Sequence, residues 1–360
     1  MWKNKDDSVI TIQLSTYKTL IIIALVAFTV YTWHFFVNIL VILYIAFLIA
    51  SLLRQISLKI YNFLKQKIPL TLIQLLTFLS FIGLFFGLII NIASQLINQT
   101  VEFVSQIITT PNLEPLINNI NHYISPFVDM TTVTNWITTF TTNLVNLQTP
   151  IQGAKWAINI LPFTVFILLA TWYLLIDFNN FLQNLTLLLP DDRDKNLVKH
   201  LFKQLDIQVG RWAKAQILLM FIIGIASFIV LSFLHVPYAL LLATLAGLLE
   251  IIPNFGPTIA AIPAILAGLI FGGPVKAISV LIGYLLIQQL ENNFLVPYIM
   301  GSIAGTHPLL TILLIMFGQA VMGPVGAILS IPVFITIVTL IKSYKEFDTI
   351  HYAKPDTKTT

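Results

Sequence analysis

Apolar residues run almost unbroken from 19 to 53, too long for one crossing of about 20 residues. Trp33 and His34 fall near the middle, where an interfacial aromatic and a polar ring mark a turn. The pattern therefore predicts two short spans. Further apolar runs predict spans over 70–97, 156–176 and 215–234, with Pro69 placed to start the first of these helices. Between 98 and 152 Asn, Thr and Gln dominate. There Val101, Val104, Ile107 and Ile108, then Leu116, Ile117, Ile120 and Ile124, recur at helical spacing and predict short amphipathic helices. Leu197, Leu201, Leu205 and Gln208 predict another such helix inside 178–214.

Beyond 237 the apolar runs are cut by proline and glycine. One block holds Pro237, Gly247, Pro253, Asn254, Gly256 and Pro257; a second holds Pro308, Gly318, Gly323, Pro324 and Gly326. Pro237, Gly247 and Pro253 recur at one constant offset as Pro308, Gly318 and Pro324, the signature an internal repeat leaves. The limbs either side of each break are short for a full crossing. Each block is therefore expected to enter and leave the membrane on one side, as re-entrant hairpins over 237–272 and 306–341, with 275–297 crossing between them. One crossing between two hairpins inverts the second relative to the first, an arrangement that recurs in secondary transporters. Ten short spans fit the same pattern. The expected fold is all-α and polytopic: six full spans plus two re-entrant hairpins, or eight transmembrane segments by the usual count. The chain divides into a two-span hairpin with its loop (1–69), a third span (70–97), an extracytoplasmic helical segment (98–152) and a fourth span (153–177). A cytoplasmic amphipathic segment (178–214), a core carrying both broken hairpins (215–342) and a tail (343–360) follow.

Composition supports the membrane class. Of 360 residues 57% are apolar and only 9% charged, against about 25% charged in soluble domains. Lys and Arg collect in a few stretches. Arg54, Lys59, Lys65 and Lys67 follow the first apolar run without an acid, and 98–152 holds no Lys or Arg. The positive-inside rule then puts both termini and 178–214 in the cytoplasm, and 98–152 outside. With Lys3 and Lys5 ahead of the first run and no small-residue cleavage site after it, that run reads as a retained anchor. Absence of cysteine excludes disulfides and thiolate chemistry.

Candidate chemistry sits where polar residues interrupt the apolar core. Gln288, Gln289, Glu291, Asn292 and Asn293 precede Pro297 and Gly301. A carboxylate among amides can bind a cation through oxygens or exchange a proton, or it can clamp helices or subunits together. Glu250 precedes the Pro253–Asn254 break, where freed carbonyls could join it; Gln319 precedes the second break. Pro297 is expected to break the helix of Glu291. His-Glu-x-x-His, Gly-x-Ser-x-Gly, Walker and Gly-x-Gly-x-x-Gly patterns are all missing, so neither an enzyme, a cofactor, a metal site nor a nucleic-acid partner is expected.

The C-terminal third resembles the AI-2E (PerM-like) family of bacterial transporters. Glu250-Ile-Ile-Pro253-Asn-Phe-Gly256-Pro257, Gln288-Gln289-Leu-Glu291-Asn292-Asn293, Pro297-Tyr298-Ile-Met-Gly301, His307-Pro308-Leu and Gly323-Pro324-Val-Gly326 carry the likeness. Tyr298 stands where the family commonly has a basic residue. The resemblance implies a homo-oligomeric transporter of the bacterial inner membrane. It also implies either export of a small polar molecule such as autoinducer-2 or sodium (lithium)/proton antiport. The rival from another class is a membrane scaffold that transports nothing, in which Glu250 and Glu291 have no wet path to either side.

Overall fold

In the computed structural model residues 36–109, 139, 150–253, 255–301 and 308–352 are described, and among them no strand occurs. The helices are α1 (Phe36–Phe63), α2 (Leu70–Thr109), α3 (Pro150–Ile176), α4 (Phe178–Leu187) and α5 (Asp192–Phe233). They continue as α6 (Ala239–Leu249), α7 (Phe255–Leu290), a π-helical turn (Glu291–Leu295), α8 (Val296–Met300) and α9 (Pro308–Tyr352). Five are long and apolar enough to cross a membrane, and six if α3 and α4, bent by 83°, count as one span. The all-α polytopic class is thus borne out. The first predicted span, most of 98–152, Asn254 and the tail beyond 352 lie outside the described residues.

Two segments expected as span plus separate loop are single helices instead. α5 has 42 residues and α2 has 40, lengths of about 60 Å at 1.5 Å per residue. Each is about twice the roughly 30 Å hydrocarbon core, so each stands well out of the membrane. Asp192–Lys214 holds no proline and one glycine, Gly210, which stays helical, and the amphipathic pattern continues into the apolar one without a change of period.

α5 is the helix on which the rest pack: α6 and α9 most extensively, then α4, α7 and α8. Small residues make this possible. Lipid gives apolar helices no hydrophobic reason to associate, so close van der Waals packing must supply it. Ala246, Ala260, Ala264 and Ala267 are fully buried between α6 and α7, in one cluster with Leu231, Val280 and Tyr284. A Cβ on Gly247 would lie 2.8 Å from the carbonyl oxygen of Met220, which is how near α6 comes to α5.

Three sharp reversals shape the C-terminal half. α6 ends in a turn over residues 250–253, and α7 starts at Phe255. α7 folds back at Gly273 (φ 75°), bringing Gly268 against Ala277 and Val280. α9 folds back at Met322–Gly323, and Gly318 and Gly326 then meet backbone to backbone. The first and third are the breaks expected from proline and glycine; the second also underlies the expected crossing after 272. Gly247 and Gly318, equated by the constant offset, have different jobs. Gly247 admits α5, whereas Gly318 admits its own returning limb.

At the charged end of α5 one buried ion pair ties four helices. Arg54 donates to Asp206 and to the carbonyl of Leu174, and its guanidinium lies 4.0 Å over the Phe178 ring. Both charged residues are 8% exposed. Removing one partner leaves the other buried and unpaired, which costs about 3–5 kcal/mol. Arg54→Met should therefore lower the thermal unfolding midpoint in detergent markedly, and adding Asp206→Leu should restore most of it. Equal loss in the single and double variants would show that the pair is not the cause.

Candidate functional site

Glu250 and Glu291 come from different elements and meet. Glu250 is the residue after α6, whose 11 residues place it about 16 Å from that helix's start. The turn it opens is held by backbone hydrogen bonds. Glu250 N–H donates to the Ala246 carbonyl, Ile251 to Leu248, Ile252 to Leu249 and Gly256 to Ile252. Such closure is required where no water can substitute. Only glycine fits at 256, because a Cβ there would sit 1.9 Å from the Leu249 carbonyl oxygen.

Glu291 is delivered by a different device. Pro297 was expected to break this helix, but the helix carries through it and ends at Gly301 (φ 52°). Proline has no N–H for the carbonyl four residues back. The chain accommodates this upstream with the wide turn Glu291–Leu295, in which the Val296 N–H donates to the Glu291 carbonyl. π turns of this kind are rare and occur frequently at functional sites.

The two carboxyl groups come within hydrogen-bonding reach of each other, and each residue is 1% exposed. Amides bracket them. Gln288 Nε2 donates to Glu291 Oε2 at 3.3 Å, and Gln216 Nε2 donates to the Glu250 carbonyl at 2.6 Å. Glu250 Oε2 and Gln216 Oε1 are buried without a partner among the described residues. The groups left unmet are acceptors, while the nearby amide donors are used. What this arrangement lacks is positive charge or a proton. In the present conformation the pair is enclosed on all sides.

The remaining candidates are dispersed. Gln289 and Asn293 bond to each other at 3.0 Å on an exposed face of the same helix, and Asn292 is exposed as well. Gln319 is exposed on the first limb of α9. Pro253 lies in the turn after Glu250, Pro257 is buried at the start of α7 beside Gly256, and Pro308 begins α9. Pro324 and Gly326 follow the reversal at Gly323. Tyr298 is 90% exposed.

Gln216 was missed by sequence reasoning. It sits two residues after Lys214, where an amide at a membrane boundary raises no question, yet it is 2% exposed. Ser227 and Tyr284 were missed too. They are neighbours between α5 and the second limb of α7, both buried. Their signal was a polar atom inside an apolar run.

Relatives fix the broader identity. YueF of Bacillus subtilis (strain 168), named as a candidate transport protein, is 29% identical over 338 residues, covering 87% of this chain and 89% of its own. The AI-2 transport protein TqsA of Escherichia coli (strain K12) is 40% identical over 116 residues, 32% of this chain and 34% of that protein. The family model for AI-2E family transporters matches residues 21–346. The chain is therefore a multi-pass membrane protein that belongs to the AI-2E transporter family.

Proposed function

We propose that this transporter moves a small polar molecule of the autoinducer-2 type out across the bacterial cytoplasmic membrane, and that Glu250 and Glu291 carry the proton or cation that drives it. Both termini face the cytoplasm in this reading. The observation that carries it is the meeting of two fully buried carboxylates, one at a helix reversal and one at a π turn, among apolar helices. Ionisable groups so placed are expensive and mark ion and proton paths. Both also sit beside irregular backbone that can rearrange, which alternating access to an enclosed site demands. The small-molecule class rests on the name of one relative, the AI-2 transport protein.

A second reading is sodium/proton antiport. The unpartnered acceptors Glu250 Oε2 and Gln216 Oε1 favour it. Oxygen atoms without donors suit a desolvated cation better than a polyol, which brings both donors and acceptors.

Flux into proteoliposomes separates these. With an imposed proton gradient, the first reading expects gradient-dependent movement of a labelled small polyol that does not require sodium. The second expects sodium movement with counter-flow of protons and no polyol flux. No gradient-dependent flux of either would leave the scaffold.

A further inference from the structure

Helical hydroxyls of this chain commonly bond to a carbonyl one turn back. Ser57 donates to Leu53, Thr244 to Leu240 and Ser279 to Val275, at 2.7–2.9 Å. Between α1 and α9, Tyr44 and Thr336 join hydroxyl to hydroxyl at 2.8 Å. Ser227 and Tyr284 do neither. Their oxygens are buried without a partner among the described residues, in side chains only 0% and 6% exposed. Ser51 Oγ, where α1 meets Gly210, shares that state. What sets Ser227 apart is a second unmet hydroxyl across from it.

Packing brings the two together. A Cβ on Gly283 would lie 2.5 Å from Val230 Cγ1, so α5 touches the second limb of α7 one residue from Tyr284 and three from Ser227. Tyr284 also shares a buried cluster with Leu231, one turn beyond Ser227.

Both residues stand on the buried stripes that carry the carboxylate site. On α5 the stripe runs through Gln216, Ile223 and Ser227. On α7 it runs through Tyr284 and Ile287 to Glu291. Tyr284 precedes Glu291 by seven residues, two turns or about 10 Å. Along α5 the order is Asp206, Gln216, Ser227. Seen from the charged end of α5, the hydroxyls therefore form a second polar level beyond the carboxylates.

The two levels offer different chemistry. Beside the carboxyl pair the unmet atoms are acceptors, which suit a cation. Ser227 and Tyr284 are neutral, and each can both donate and accept. A cation gains little from two neutral hydroxyls, whereas a polyol hydroxyl is itself donor and acceptor and matches them. Phenylalanine and alanine would fill the same space without an unmet polar atom. Unmet groups that persist in a buried site call for a use. Both levels are enclosed in this conformation, as a site between its open states is.

We propose that Ser227 and Tyr284 bind hydroxyl groups of the transported molecule and so select a polyol as cargo, leaving the coupling ion to Glu250 and Glu291. The assignment rests on the export reading above.

Saturation kinetics of labelled xylitol in proteoliposomes, paired with thermal unfolding in detergent, test it. Tyr284→Phe and Ser227→Ala should each raise the KM for xylitol about tenfold, the scale of one lost hydrogen bond, with the maximal rate and its dependence on the proton gradient kept. Because the hydroxyls are unmet without cargo, neither substitution should lower the unfolding midpoint. Tyr44→Phe breaks a bond that is made, so it should lower the midpoint and leave KM unchanged. Wild-type KM in folded Tyr284→Phe and Ser227→Ala proteins overturns the assignment while the export reading stands; a resident water on the two hydroxyls would give that result. A midpoint that falls as in Tyr44→Phe, with KM unchanged, overturns it in favour of a clamp between α5 and α7. Wild-type protein that moves no xylitol removes the export reading and this assignment with it.

Discussion

Glu291→Gln is expected to cut coupled flux in proteoliposomes by about tenfold or more, the scale of losing a group that acts only in the working cycle, while the protein still assembles. The substitution keeps the length and planarity of the side chain. An amide at 291 can donate to Glu250 and accept from Gln288, whose Nε2 now bonds to Glu291 Oε2 at 3.3 Å. What disappears is the charge and the titration. Two carboxylates this close in a low-dielectric site cannot both stay charged unless a cation lies between them. The pair must then hold either a shared proton or a cation, and it exchanges protons as a unit. Protons thus compete with the cation: at fixed cation concentration, wild-type cation flux should fall as pH falls. Residual flux in Glu291→Gln should lose that slope. Wild-type flux with an unchanged pH profile in an assembled Glu291→Gln protein would make Glu291 a structural clamp and sink the mechanism.

The membrane class and the proline–glycine reversals were legible, and Glu250 and Glu291 stood out as carboxylates in apolar sequence, because each rests on a local cost. Lipid penalises a carboxylate, a proline or a glycine wherever it occurs, so its presence must be explained. Which polar residues cooperate was less legible, because that is a question of helical phase and of neighbours. Gln288 and Glu291 are three apart and share a face; Gln289 and Asn293 are four apart and share another. Spacing alone could have divided those four residues into two faces, but it could not say which face is buried. Gln216 was beyond reach of this reasoning. It contributes from α5, whose central place depends on close approaches at Gly210 and at Gly224 with Gly247, and these appear only when the helices are assembled. The π turn was illegible for another reason. Proline removes one hydrogen bond, but whether the helix stops or widens depends on what packs around it.

Gly256→Ala is expected to be the most damaging single methyl group in this half of the chain. The added Cβ would lie 1.9 Å from the Leu249 carbonyl oxygen, 2.3 Å from its carbon and 2.8 Å from the Glu250 nitrogen. All three are backbone atoms, so no rotamer change relieves the clash. The end of α6 must move, and the closed set of bonds through Glu250, Ile252 and Gly256 must open with it. Overpacking by a methylene costs about 1–3 kcal/mol even where side chains can shift, and here they cannot, so about 3 kcal/mol or more is expected. Displacement of Leu249 also carries Glu250 away from Glu291, so surviving protein should transport poorly. Gly83→Ala is the matched control. Gly83 lies inside α2 with nothing within 4 Å of its would-be Cβ, and alanine in an open helix interior should stabilise by about 0.5–1 kcal/mol. Thermal unfolding in detergent, followed by tryptophan fluorescence, compares the two directly. A Gly256→Ala midpoint within a degree or so of wild type would mean that α6 and α7 do not approach as described and that the turn does not hold Glu250 in place.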